Sequence, residues 1–238
     1  MALALFCKTP KTGSSKTRLS PPLTPEQCAA LSGCFIQDVS ATMREAAAQT
    51  AAINYAIYTP AGSEDDLHPL LPGDFRFLPQ GDGDLGARLI AAMHDLFAAG
   101  HRGVIFINAD GPTLPIDILA DAIQITERGD TVVIGPARDG GYTLIGMSQP
   151  HDALFNDIDW STERVFAQTR AQALRLNLPV VELPLWYDVD DEAGLLLLEA
   201  EFAGEIPPFA KPGLTGARAP ATRQYLAQIR HPRINLVS

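Results

Sequence analysis

Short apolar runs and four-residue apolar stripes alternate along this chain. Residues 3–7 are apolar, too few for a helix, and read as a strand. Further on, Leu31, Phe35, Val39 and Met43 recur every four residues and predict a helix with one buried face. Thr24-Pro25-Glu26-Gln27 opens it with a capping-box pattern and proline at the first helical position. Residues 53–58 and 75–78 read as the second and third strands. Leu89, Ala92, Met93 and Leu96 mark a helix over 87–99 with Gly100 as its stop. Residues 103–109 form a β-branched run that suits a strand buried on both faces. A helix from Pro115 follows, with Ile116, Leu119 and Ile123 apolar, then strands over 131–135 and 143–147. Val165, Thr169, Ala173 and Leu176 line another helix, for which Ser161 is the expected cap. A last strand over 180–183 and a helix over 195–202 complete the pattern.

Strands alternating with helices predict a three-layer α/β/α sandwich. No shift in composition divides residues 1–205, so one domain is expected there. Prolines at 207, 208, 212, 220 and 232 mark 206–238 as a loosely structured basic tail, with a short helix over 222–229. The 238 residues are 46% hydrophobic and 19% charged, as in ordinary globular proteins. No apolar run approaches the ~20 residues of a membrane span. The first residues read as a strand rather than a signal peptide, having no basic residue before their apolar run. Cys7, Cys28 and Cys34 are odd in number and lack metal-ligand spacing, so a reduced, cytoplasmic setting is expected.

The net charge of −10 is unevenly spread. Residues 1–25 carry Lys8, Lys11, Lys16 and Arg18 and no acid, and 206–238 carry five basic residues and no acid. All 28 acids lie between. So acidic a chain repels a nucleic-acid backbone, whereas a local basic loop suits one small anion.

That loop, from Lys8 through Gly13 and Lys16 to Arg18, lies between a strand and a helix, the plan of a phosphate-binding βα unit. It contains neither a Walker sequence nor Gly-x-Gly-x-x-Gly. It reads either as a diphosphate clamp or as a solvated loop. The stretch Gln80-Gly81-Asp82-Gly83-Asp84-Leu85-Gly86 either lets backbone approach a ligand or makes a tight helix entry. Asp110 ends its strand at the sheet edge where open α/β proteins bind ligands, as an anchor for a metal–phosphate site or as a turn residue. Asp139-Gly140-Gly141 is a hairpin signal, or space for a sugar or acceptor beside Asp139. Asp188, Asp190 and Asp191 could share the duties of helix cap and cation ligand.

These motifs, with Asn108-Ala109-Asp110-Gly111-Pro112, Trp160-Ser161-Thr162 and Asp188-Val189-Asp190, resemble in order a family of small bacterial GT-A-type nucleotide-diphospho-sugar transferases. Some of its members are associated with arsenosugar biosynthesis, and molybdenum-cofactor guanylyltransferases are more distant relatives. The resemblance covers about residues 3–200. It implies a Rossmann-like GT-A fold with a mostly parallel mixed sheet, a nucleotide-activated sugar donor, a small-molecule acceptor, and Mg²⁺ or Mn²⁺. By position it puts Lys16 and Arg18, in the loop with Lys8 and Gly13, on phosphate. Gln80, Gly81, Asp84 and Gly86 would border the base. Asp110 and Asp190 would hold metal, and Asp139, a possible base, would lie with Gly140 and Gly141 beside sugar or acceptor. Thr113 replaces an acid common in the family. The tail lies outside the pattern and could serve acceptor binding or a homodimer contact. Glycosyl transfer leads; nucleotidyl transfer with pyrophosphate release and a non-catalytic nucleotide-binding module are the alternatives.

Overall fold

A computed structural model describes residues 1–48 and 50–230. Seven strands form one sheet: β1 (Ala2–Lys8), β2 (Ile53–Thr59), β3 (Arg76–Pro79), β4 (Val104–Asn108), β5 (Val132–Pro136), β6 (Tyr142–Met147) and β7 (Val180–Glu182). Their order is β3-β2-β1-β4-β6-β5-β7, and only β6 runs antiparallel to its neighbours. The helices are α1 (Pro25–Ala47), α2 (Glu64–Leu67), α3 (Leu85–Ala98), α4 (Ile116–Arg128), α5 (Val165–Arg175), α6 (Glu192–Phe202) and α7 (Pro220–Arg230).

The central strands are apolar throughout because both of their faces are covered. Alternation divides them between two cores. Leu3, Leu5, Ile105 and Ile107 meet α1, α4, α6 and α7 on one side. Ala2, Ala4, Val104 and Phe106 meet α3 and α5 on the other. The three-layer arrangement expected from the alternating pattern, and the mostly parallel mixed sheet implied by the resemblance, are the ones observed.

Local signals shape the helices. Leu31, Phe35, Val39 and Met43 are all buried along α1. Its capping box is complete, with Thr24 Oγ1 accepting from Gln27 N and Gln27 Oε1 accepting from Thr24 N. Asp191 caps α6 by accepting from Gly194 N at 2.9 Å. Ser161 does not cap α5. It sits at φ 64, and the helix begins only at Val165, behind a turn in which Thr162 Oγ1 accepts from Arg164 N. The single turn of α2 has no apolar stripe to announce it.

From Ile206 to Arg230 the chain is packed rather than loose. Phe209, Ala210, Leu214, Tyr225 and Ile229 cover the α1-side core, and Leu226 is buried in it. The expected short helix is longer, and Asp38 of α1 holds its start by accepting from Ala221 N at 3.0 Å and Thr222 N at 2.8 Å. Residues 231–238 of the tail lie outside the described residues.

Candidate functional site

Parallel strands deliver their C-terminal loops to one sheet edge, and here those loops are tied together by backbone. Val189 N donates to Asp110 O at 2.9 Å, docking the segment after β7 on the loop after β4. Trp186 N donates to Pro136 O at 3.1 Å and Arg138 N to Trp186 O at 3.0 Å, fixing the same segment to the β5–β6 hairpin. Gly140 lies at φ 89 in that hairpin, where an added Cβ would run into the Glu163 backbone, so only glycine fits. Phe166 N donates to Gly140 O at 2.8 Å and closes the contact.

This stitching concentrates charge. Lys16 Nζ lies 2.5 Å from Asp110 Oδ1 and 2.7 Å from Asp190 Oδ1, with its side chain only 6% exposed. Burial alone would lower the Lys16 pKa. Asp110 and then Asp190 outweigh it and hold the ammonium above its ordinary value. Asp139, Asp188 and Asp190 each offer a carboxylate oxygen, all within 4.8 Å of one another. Burial first, then Asp139, Asp190 and Asp110, push the Asp188 carboxyl up to about 7. Such a cluster of hard oxygen donors is the chemistry that Mg²⁺ or Mn²⁺ takes. Burial, reinforced by Asp110, also drives the thiol of Cys7, in the wall of the cavity that these groups line, up to about 12, leaving it inert.

A cavity of about 660 Å³ opens over these groups, within the range of small-molecule sites. Lys8, Lys16, Arg18, Asp110, Asp139, Gly141, Asp188 and Asp190 line its charged part. Phe6, Leu89, Phe106, Tyr142 and Trp160 line an apolar part. The other expected residues do not line it. Gly13 sits in the exposed turn of the basic loop, and Gly140 shapes the hairpin behind Asp139. Gln80 Nε2 donates to the carbonyls of Cys7 and Ile57, tying β1 to β2. Asp84 caps α3 through Ala87 N. Gly86 makes room for Trp160, whose Nε1 would lie 2.8 Å from an added Cβ. Gly81 packs near Ala91.

Asn108, Trp160 and Glu163 line the cavity and had no role assigned from sequence, and Asp188 lines it where sequence offered only a shared duty with Asp190 and Asp191. Asp188 stood inside the acidic run, but nothing local separated it from Asp190. Trp160 opened a motif whose place in the fold only tertiary contacts reveal. Thr113, the replacement for the family's acid, is 1% exposed and does not line the cavity. It bonds Tyr187 Oη at 3.2 Å and accepts from Trp186 Nε1 at 3.3 Å.

A Rossmann-like sheet of this order, with ligand loops at one edge, is the fold class of nucleotide-sugar transferases and cytidylyltransferases. The chain belongs to the DUF2064 family, described as an uncharacterized protein conserved in bacteria, whose model matches residues 42–162. A Desulfovibrio desulfuricans G20 protein, provisionally described as a nucleotide-diphospho-sugar transferase, is 29% identical, with a TM-score of 0.79 over 97% of this chain and 96% of that one. Lower similarity in sequence accompanies a shared fold in two further structures. CMP:2-keto-3-deoxy-manno-octonic acid synthetase complexed with CTP is 13% identical, with a TM-score of 0.53 over 86% of this chain and 99% of that one. The 4-diphosphocytidyl-2C-methyl-D-erythritol synthase of Anaerococcus prevotii DSM 20548 is 8% identical, with a TM-score of 0.53 over 85% and 96%. No curated protein matches significantly. Among the described residues no helix is long and apolar enough to cross a membrane.

Proposed function

We propose that the protein is a metal-dependent glycosyltransferase that moves a sugar from a nucleoside-diphosphate donor to a small-molecule acceptor. The observation that carries this reading is the cluster of Asp139, Asp188 and Asp190 facing the Lys8–Arg18 loop across one cavity. The lining holds three cations, Lys8, Lys16 and Arg18, against five carboxylates, Asp110, Asp139, Glu163, Asp188 and Asp190. One divalent ion balances that set. A diphosphate sugar then adds about half the negative charge that a triphosphate would, which favours it over an NTP.

In this reading Asp188 and Asp190, with Asp139 at the exposed edge, hold the Mg²⁺ or Mn²⁺, and Asp110 serves as counter-ion to Lys16. The ion would supply positive charge against the leaving diphosphate. Lys8 and Arg18 grip the phosphates as the bond from the anomeric carbon to the diphosphate oxygen breaks. Glu163 and Asp139 stand at the mouth of the cavity, where they can accept the proton of the acceptor hydroxyl as it forms the new bond. Phe6, Phe106, Tyr142 and Trp160 exclude water from the far side, so the sugar meets acceptor rather than solvent. The free thiols of Cys7, Cys28 and Cys34 suit the cytoplasm expected from sequence.

A thermal-shift panel of nucleoside-diphosphate sugars and NTPs, with and without Mn²⁺, tests this. The expected result is a Mn²⁺-dependent rise with one diphosphate sugar that disappears in Asp190→Asn. A shift with NTPs alone, accompanied by pyrophosphate release on turnover, would establish nucleotidyl transfer instead.

A further inference from the structure

The residues proposed for cation binding already hold a cation of their own. Lys16 Nζ touches Asp190 Oδ1 at 2.7 Å, and Asp190 is one of the three clustered carboxylates. The same ammonium lies 2.5 Å from Asp110 and 5.3 Å from the centroid of the Phe35 ring, so carboxylates and an aromatic face surround it. Its backbone is held at φ 48, a left-handed conformation that a lysine rarely adopts. Its one charge is shared between Asp110 and Asp190, while Asp139 and Asp188 crowd Asp190, so the lysine by itself leaves the cluster under-neutralised.

We propose that Lys16 is a resident counter-ion of this cluster, displaced when a divalent cation binds Asp190 and thereby released to the donor's diphosphate. The inference rests on the metal-dependent reading above. A divalent ion on Asp190 repels an ammonium on the same carboxylate, and hard oxygens favour the ion of higher charge. The lysine then has a place to go. It lines the same cavity as Lys8 and Arg18, and its four-carbon stem swings by rotamer changes while the loop keeps its own turns, Ser14 N and Ser15 N donating to Lys11 O. Cation and diphosphate therefore bind cooperatively: each removes a reason for Lys16 to remain where it is. Before either arrives, Lys16 keeps the acidic loops from repelling one another.

Two measurements on the full chain test this. Mn²⁺ titration followed by electron paramagnetic resonance should show Lys16→Met binding Mn²⁺ at least tenfold more tightly than the wild type, because a competing charge has gone. Equal or weaker binding by the variant overturns the inference while leaving the metal reading intact. Absence of Mn²⁺ binding in both proteins overturns the two together. The second measurement needs no variant and decides the matter should Lys16→Met fail to fold. The chain has four lysines, Lys8, Lys11, Lys16 and Lys211, so brief acetylation read by mass spectrometry resolves each one. Mn²⁺ should raise labelling of Lys16 severalfold relative to Lys211. Unchanged or reduced labelling in a protein that binds Mn²⁺ would show that the lysine stays on its carboxylates.

Discussion

Val189 donates its amide to the backbone carbonyl of Asp110 at 2.9 Å. This bond joins the loop after β4 to the segment after β7 through main chain alone, so their side chains, Asp110, Asp188 and Asp190, are free to face the cavity. The site is thus a frame of backbone bonds carrying a crowded set of charges.

The crowding of those charges sets a pH dependence in the metal-free protein. Asp188 has its folded-state pKa raised from 3.8 to about 7, first by burial and then by Asp139. Between these values the folded state binds more protons than the unfolded one, so this group's contribution falls as pH rises through that window. In EDTA, melting temperature should drop by several degrees between pH 5 and pH 8 on this account. Asp188→Asn should flatten the drop, and Mn²⁺ at pH 8 should reverse it in the wild type only. An equal slope in wild type and variant would contradict the assignment.

Arg18→Ala and Lys8→Ala should weaken donor binding by about ten- to a hundredfold each, the worth of a charge-assisted bond to phosphate. Both side chains are exposed, so neither change should move the melting temperature by more than a degree or two. Isothermal titration with the diphosphate sugar chosen by the thermal panel measures the first effect and calorimetric unfolding the second.

Behind the site runs a buried chain of hydrogen bonds, from Trp186 Nε1 to Thr113 Oγ1, from Thr113 to Tyr187 Oη, and from Tyr187 to Glu201. Thr113→Val keeps the volume and strands the indole N–H. Destabilisation of about 1–3 kcal/mol is expected, or roughly 2–10 °C for a domain of this size. Because Trp186 and Tyr187 position Asp188 and Asp190, the Mn²⁺ affinity of Thr113→Val should also fall. An unchanged affinity would confine Thr113 to a packing role.

Asp38→Ala removes both acceptors for the first turn of α7. Loss of a cap typically costs ~1 kcal/mol, and two buried amide bonds raise that to about 2 kcal/mol. Limited proteolysis should then cut between Gly213 and Arg230 well before the rest of the chain, whereas the wild type should resist in that region. Simultaneous cleavage throughout the variant would show that α7 unfolds only with the whole domain.

Much of the fold was legible because its signals are local. The stripe Leu31–Phe35–Val39–Met43 defines a helix face wherever it packs, and Thr24 and Gln27 cap that helix with atoms three residues apart. The apolar run of β4 needs two covered faces whatever covers them. Ser161 misled because a good capping residue followed by a helix does not reveal that the chain first makes another turn. Packing of the tail was hidden for a related reason. Its prolines describe local irregularity, while Asp38 meets the start of α7, and Phe209 and Leu226 meet the core, only across the folded domain.

For the site, sequence alone determined which residue types stand at the ends of which strands: a basic loop after β1, Asp110 after β4, Asp139 after β5 and an acidic run after β7. Tertiary structure alone decided their partners. The order β3-β2-β1-β4-β6-β5-β7 brings the basic loop beside Asp110 and Asp190, and groups Asp190 with Asp188 and Asp139. Charge carries no periodicity by which distant loops could announce one another; its meaning depends on distance, and distance is set by the sheet. Thus Lys16 and Asp110, each legible as a ligand residue, prove in the folded chain to be ligands of each other.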